Sequence, residues 1–424
     1  VVVACLVLAC SLAGCRRLDG RPSVLLVVLD TVRADHLSLY GYPHRTSPTL
    51  DALGAEAMVY TQAIAPGTWT PPSHASLFTG LMPSEHRVGH LREGIGGGIR
   101  ALDPGVPILA EAMAASGYRT AAYVANYGFL DPVFGLARGF EDYKRENLRP
   151  ADRLATRVSG WIARDRPGPF FLFLNVMDAH GPHKAPPGYD RMFGPADGLP
   201  AARAPAGPDP VEAARRIAQY DGEIRWIDDQ LARIFDALRR VGRWDETMIV
   251  VTSDHGELFG EDGRWGHGGD PIRPLVRVPL IVKYPHGTPR GRDDRPVSLA
   301  SVPASVLAVA GEPPFPGTEP ALAAAPGVAV SEYVLDDRSV RAVFAGDGRM
   351  LVERVGAAAG ERRAFRVRDG AEPVPLDDAA EAARLDAALA AYAAALEAPR
   401  PGPVVFPEAD RALAEKLRQL GYIE

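Results

Sequence analysis

A chain of 424 residues, 46% of them hydrophobic, can bury a large core, and its length predicts two or three domain-sized units or one large domain with an appendage. A net charge of -6 excludes a dedicated nucleic-acid binder, which would carry a basic footprint. All three cysteines lie within the first fifteen residues, so the body holds no disulfide, zinc-cysteine site or cysteine nucleophile.

The apolar run Val1 to Ala13 is too short to span a bilayer of about 30 Å as a helix. Leu12, Ala13, Gly14 and Cys15 resemble the box at which bacterial lipoprotein signal peptides are cut and the cysteine lipidated, and Arg16, Arg17 and Asp19 follow at once. Residues 1–15 are therefore expected to be a signal peptide with its lipidation site, and the protein to be extracytoplasmic, a membrane-anchored lipoprotein of the periplasm or cell surface. A plain secretory signal or a membrane anchor is the alternative.

The body opens on Ser23 to Leu29, SVLLVVL, a continuous apolar run that reads as a strand buried on both faces, hence part of a parallel sheet. Asp30 stands at its carboxyl end, the edge where open α/β sheets bind ligands. Helical spacing from Pro48 to Met58 and a strand from Val59 to Ala65 lead to TWTPPSHASLFTG, Thr68 to Gly80. Two prolines belong in the first turn of a helix, where a missing N–H costs nothing. Thr70 is thereby placed at or just before a helix N-terminus, where backbone N–H groups favour an anion.

Arg92 to Arg100, with three consecutive glycines, reads as a loop. A helix from Pro107 to Ser116 stopped by Gly117, then a strand from Tyr118 to Ala125, gives the alternation of a doubly wound fold. A helix from Arg153 to Arg164 precedes PFFLFLNV, Pro169 to Val176, a strong strand ending in Asp178, Ala179 and His180. Phe193 to Pro210 reads as an irregular rim, Val211 to Val241 as a long helix, and Thr247 to Ser253 as a buried strand with Asp254 and His255 at its end. Pro279 to Lys283 and the helix Val302 to Ala310 complete an expected catalytic domain over 22–325.

From about residue 326 the pattern changes to short alternating strands, Arg341 to Ala345, Met350 to Val355 and Arg363 to Val367, followed by helices from Asp377 to Ala395 and Glu408 to Leu420. The fold class expected is α/β: a large, mostly parallel sheet sandwiched by helices, with a small C-terminal antiparallel-sheet plus helix subdomain over 326–424.

Asp30, Thr70, the group Asp178, His180 and His183, the pair Asp254 and His255, and His267 within WGHGG all follow strand ends. Singly each has an ordinary reading: a cap, a buried hydrogen-bonded histidine, a solvated turn. Their repeated arrival at one sheet edge reads as a site.

The order of motifs resembles the sulfatase branch of the alkaline phosphatase superfamily. The matching stretches are LDTVRADHLSLYGY (Leu29 to Tyr42), TPPSHASLFTG (Thr70 to Gly80), NVMDAHGPH (Asn175 to His183), VVTSDHGELFGE (Val250 to Glu261), WGHGG (Trp265 to Gly269) and LGYI (Leu420 to Ile423). The resemblance implies that Asp30, Asp254 and His255 bind a divalent metal, with Thr70 on it as nucleophile, and that His180 and His267 contact the ester or protonate the leaving oxygen. In two-metal relatives such histidines, with an aspartate such as Asp178, hold a second metal instead.

Departures from the family sharpen the expectation. Sulfatases present Cys-x-Pro-Ser-Arg, or serine first, for conversion to formylglycine, whereas this chain has Thr70, Pro71, Pro72, Ser73 and His74, and threonine is not a substrate for that conversion. The second acidic ligand is replaced by Thr31 and a frequent asparagine ligand by His255, which favours zinc or manganese over calcium or magnesium. The clamping lysines have no counterpart near Asn126, leaving Lys184 and Lys283 as candidates. Threonine-nucleophile relatives such as lipoteichoic acid synthases and phosphoethanolamine transferases match these choices better. The expected activity is a metal-dependent ester hydrolase or transferase favoured on phosphoesters of a small molecule, glycan or lipid head group. The alternatives are a sulfuric ester hydrolase and a degenerate binder of anionic glycans or lipids.

Overall fold

Strand β1, Ser23–Leu29, forms over the expected residues, and all seven of its side chains are buried. An apolar run without alternation is stable only with both faces covered, and β1 lies inside an eight-stranded sheet. The computed structural model describes residues 20–92, 98–145, 150–194, 210–356, 362–366, 374–396, 398–406 and 411–419. The signal peptide with Cys15, most of the glycine run, most of the rim segment and the terminal LGYI lie outside the described residues.

The other strands of the sheet are β2 (Met58–Ile64), β3 (Arg119–Val124), β4 (Asp142–Arg145), β5 (Phe170–Val176), β6 (Thr247–Thr252), β7 (Arg277–Lys283) and β8 (Gly291–Ser298). They run in the order β8-β2-β7-β6-β1-β5-β3-β4, with β7 alone antiparallel to its neighbours. Leu25, Val27 and Leu29 point to one face, under helices α1 (Pro48–Gly54), α4 (Ala151–Ile162) and α5 (Pro210–Arg240). Val24, Leu26 and Val28 point to the other, under α2 (Thr70–Thr79), α3 (Leu109–Ala115) and α6 (Val302–Ala310). Period-two alternation thus feeds two cores from one strand.

Strand β8 carries GRDDRPVS, whose polar residues and proline suit an edge but give no apolar signal, and it was not expected. Helix α1 stops at Gly54 rather than Met58, because Met58 already pairs in β2. The C-terminal part forms a consecutive five-stranded antiparallel sheet, Val328–Val334, Arg338–Ala345, Arg349–Gly356, Arg362–Arg366 and Val374–Pro375, with α7 (Ala379–Ala395) seating Leu385 and Leu389 on it. The chain then returns to the large sheet's side. Pro401–Val405 pairs with Ile99–Leu102, and α8 (Arg411–Gln419) buries Leu413 and Leu417 against Trp69, Phe129 and Phe134.

One buried base ties α2 to the following short helix Pro83–His86 and should make the fold acid-sensitive. His86 accepts a hydrogen bond from the Val88 N–H at Nδ1 (3.0 Å) and pairs through Nε2 with Ser76 Oγ (3.0 Å), so the neutral tautomer is fixed. Burial, aided by Arg87, pushes its pKa down to about 3. A base depressed in the folded state gives full stability above about pH 6.5, lost as pH falls towards 3, worth on the order of 4 kcal/mol over that span. His86→Asn should therefore lose less stability than the parent between pH 7.5 and 4.5, read from urea midpoints. Parallel losses in the two proteins would rule this out.

Candidate active site

Parallel strands deliver their carboxyl ends to one edge, and the chemistry of the chain collects there. Asp30 follows β1, Asn126 lies two residues past β3, Asn175 is in β5, and Asp254 and His255 follow β6. Thr70 opens α2, ahead of Pro71 and Pro72, while Trp69 is extended (φ -161°, ψ 169°) in the capping position and makes no side-chain cap. Thr70 is thus the first helical residue and not an N-cap. Its Oγ1 lies 3.4 Å from His255 Nε2 and accepts a long hydrogen bond from Asn126 Nδ2 at 3.5 Å.

Each carboxylate is held by one oxygen and leaves the other for the centre. Asp30 Oδ2 accepts from Asn126 Nδ2 (3.0 Å) and Asn175 Nδ2 (3.3 Å). Asp254 Oδ1 accepts from the backbone N–H groups of His255 (3.0 Å) and Thr31 (3.3 Å). Asp30 Oδ1 and Asp254 Oδ2 are buried without a hydrogen-bond partner. His255 donates Nδ1–H to the Gly256 carbonyl (2.9 Å), which leaves the lone pair on Nε2, 3.4 Å from Asp254 Oδ2 and 3.9 Å from Asp30 Oδ1.

Ligand atoms of Asp30, Asp254 and His255 all lie within 4.8 Å of one another, the one such group of three among the described residues. Two orphaned carboxylate oxygens, an imidazole lone pair and a hydroxyl converging at one buried point fit a divalent cation. The electrostatics agree. Burial and then the charge of Asp30 push the Asp254 carboxyl well above its usual range. Burial also opposes ionisation of Asp30, but His180, His255 and the Asn126 amide outweigh it and hold that carboxyl low. Burial, then His267, holds His255 well below the usual imidazole range.

Thr31, standing where the family has an acid, is not aimed at the cluster: its hydroxyl donates to the Ala179 carbonyl at 3.0 Å. Its φ of 64° is rare for a β-branched residue and is held by burial and by the turn that presents Asp30. His74, in place of the family arginine, donates Nδ1–H to the Thr70 carbonyl at 3.0 Å and lies 3.5 Å from Asp254 Oδ2, linking the hydroxyl's own turn to the acid.

His180 and His267 meet edge to face with ring centroids 4.9 Å apart, and the His267 ring centroid lies 4.5 Å from that of His255. Their second nitrogens find different partners. His267 Nδ1 lies 3.3 Å from Glu257 Oε1, and this carboxylate outweighs burial to raise the imidazole's pKa. His180 donates Nδ1–H to the Gly181 carbonyl (2.8 Å), and burial, then His267, pushes it down to about 4. Asp178 Oδ1 accepts from the Ala151 N–H at 2.8 Å, so that oxygen serves the start of α4.

Asp30, Thr70, His180, Asp254, His255 and His267 are therefore in one neighbourhood, whereas His183 pairs with Glu223 Oε2 at 3.0 Å. Lys283 is elsewhere, since its ammonium donates to the Trp244 and Thr247 carbonyls (2.7 and 3.3 Å) at the opposite sheet edge. Sequence reasoning missed Asn126 and Asn175 as holders of Asp30, His74 as a contact of Thr70, and Glu257 behind His267. The available signal for the two amides was their place at the end of apolar strands.

An eight-stranded, mostly parallel sheet with two acids, an imidazole and a hydroxyl at its carboxyl edge defines an alkaline phosphatase-like hydrolase. The sulfatase family model matches residues 22–312, and the chain belongs to that family, whose members are metal-dependent hydrolases of sulfuric or phosphoric ester bonds. It is similar to the multifunctional alkaline phosphatase superfamily protein PehA of Trinickia caryophylli, 26% identical over 363 residues (62% of this chain, 68% of the relative). It also resembles an arylsulfatase of Clostridium perfringens, 23% identical over 347 residues (64% and 70%). Among solved structures, the phosphonate monoester hydrolase of Agrobacterium radiobacter shares the fold, with a TM-score of 0.68 and 22% identity over 94% of this chain and 96% of that one.

Proposed function

We propose that the chain is a hydrolase or transferase of phosphoesters that uses Thr70 as a covalent nucleophile. The observation that carries this reading is the Thr70 hydroxyl at the focus of the site, 3.4 Å from the His255 lone pair. Asp30, Asp254, His255 and Thr70 would hold the cation; His255 as an imidazole donor favours zinc or manganese. When bound, such an ion lowers the pKa of a hydroxyl and offsets the charge of an incoming ester.

The chain's own groups do the rest. Asn126 orients both Asp30 and Thr70 through one amide. Oγ1 of Thr70 gives up its proton as it bonds to phosphorus, and the ester bond to the leaving oxygen breaks. His267, backed by Glu257, is the donor that protonates that oxygen, while His180, with Nδ1 committed to a carbonyl, keeps a lone pair on Nε2 to accept a proton. A water or acceptor alcohol then attacks phosphorus and frees Thr70. The same reading places a small-molecule, glycan or lipid-head-group ester in the site and a lipid on Cys15 in an extracytoplasmic compartment.

A sulfuric ester is the second reading, favoured by the arylsulfatase relative. Initial rates of the metal-loaded enzyme on aryl phosphodiester, phosphonate, phosphate and sulfate esters with one common leaving group decide between them. At least a tenfold higher kcat/KM for a phosphorus ester is expected. A sulfate ester turned over faster than every phosphorus ester would overturn the preference.

A further inference from the structure

The edge of the sheet opposite the site carries a second feature that catalysis does not use. Ser23, Arg119, Phe170 and Thr247 begin β1, β3, β5 and β6 at this edge, about 20 Å along the strands from Asp30 and Asn126. Here Arg119, Arg164 and Arg166 line a cavity of about 240 Å³ with Thr120, Trp161, Glu141 and Asp142.

The guanidinium groups in this cavity are short of counter-charge. Arg164 and Arg166 are exposed, and neither has an acidic partner among the described residues. Arg119 lies over the Trp161 ring at 5.1 Å and donates to the Arg166 carbonyl, while its Nε is buried without a hydrogen-bond partner. Of the two acids, Asp142 is held by Lys144 at 2.8 Å, which leaves Glu141 against three arginines. Arg240, without an acidic partner among the described residues, and Arg243, paired with Asp165 at 2.9 Å, stand at the same edge. Burial, then the charges of Arg166 and Arg243, lowers the Arg119 pKa, the mark of a cluster that would gain from an anion.

The chain also enters here. Gly20 to Pro22 leads into β1, with Arg21 over the Tyr118 ring at 5.0 Å. From Cys15 to Gly20 is five residues, a reach of at most about 18 Å. We infer that this edge is a docking face for anionic phospholipid head groups, the arginine cavity taking a head-group phosphate and Trp161 meeting the interface. The inference rests on the lipidation of Cys15, whose short tether would keep this edge near the bilayer while the arginines set its orientation. Guanidinium forks match phosphate oxygens, and clustered basic side chains are drawn to an anionic membrane surface. The orientation turns the catalytic edge away from its own bilayer and towards soluble or opposing substrates.

The lipidated protein offers a clean test, because its body contains no cysteine. Single fluorophores are placed through Ala115→Cys, at the exposed end of α3 on this edge, and Val133→Cys, 44% exposed in the loop that follows Asn126. On phosphatidylglycerol vesicles with nitroxide head groups, the probe at 115 should be quenched at least threefold more than that at 133. Zwitterionic vesicles, or the pair Arg164→Glu and Arg166→Glu, should at least halve the difference, while turnover of a soluble ester stays within twofold. Millimolar inorganic phosphate should not restore the zwitterionic level. Mass spectrometry of the N-terminal peptide reports the lipid separately. An unlipidated protein that still floats with anionic vesicles, but not after charge reversal, retains the face. A lipidated one with equal quenching at both probes, or full displacement by free phosphate, overturns it.

Discussion

Asp254→Asn is expected to lose its bound divalent ion and at least about a thousandfold of kcat/KM, while the metal-free protein becomes no less stable than the parent. The two halves have one cause. In the parent, Asp254 is buried beside Asp30, and burial together with that charge already disfavours its ionised form. Asparagine keeps an oxygen to accept the His255 and Thr31 N–H groups, which now bond Oδ1 at 3.0 and 3.3 Å, and removes the like charge. What is lost is the second oxygen, aimed at His255 Nε2 from 3.4 Å. The parent should therefore gain stability with added metal, about 2.7 kcal/mol at a hundredfold excess over Kd, and the variant should not. His255→Ala should behave alike in metal content and activity. Thermal unfolding with and without metal, alongside elemental analysis, gives the answer. Full occupancy in either variant would dismiss the assignment.

Strands were legible wherever burial on both faces left an unbroken apolar run, as in SVLLVVL and PFFLFLNV, because such runs admit few other readings. The edge strand GRDDRPVS was not, since its stability comes from pairing with β2 and its own side chains carry no pattern. The cluster of Asp30, Asp254 and His255 could be found because each follows a buried strand at its carboxyl end. Asn126 and Asn175 are equally placed, yet an amide at a strand end is chemically mute until its partner is known. Glu257 and His74 fall into the same class. They act on another side chain, and nothing in their local sequence says which. The return of the C-terminal helix to Trp69 and Phe129 was invisible for a related reason: Leu413 and Leu417 define an apolar stripe, but a stripe does not name the surface that covers it.

Acid quenching during turnover of a phosphoester should leave a phosphoryl group on Thr70, and Thr70→Ala should lose about a thousandfold or more of kcat while keeping its metal. Loss of a nucleophile removes the covalent path, and what remains is catalysis by position and charge alone. Thr70→Ser keeps the oxygen and should retain activity within about tenfold, limited by the freer rotamer of serine. The choice of phosphorus follows from how the intermediate is resolved. A formylglycine hydrate expels sulfate by breaking its own carbon-oxygen bond, with the second hydroxyl driving collapse to the aldehyde. Threonine has no second hydroxyl, so a sulfated Thr70 would wait for attack at a crowded sulfur. A phosphorylated Thr70 is relieved by in-line attack on phosphorus, with the leaving Thr70 oxygen beside His255 Nε2 at 3.4 Å and the Asn126 amide at 3.5 Å to steady its charge. Asn126→Ala should then slow the second step more than the first, so that the phosphorylated form accumulates. Mass spectrometry of the Thr70 peptide after quenching reads both effects. Full activity in Thr70→Ala, or a sulfated peptide that turns over faster than the phosphorylated one, would show the mechanism to be wrong.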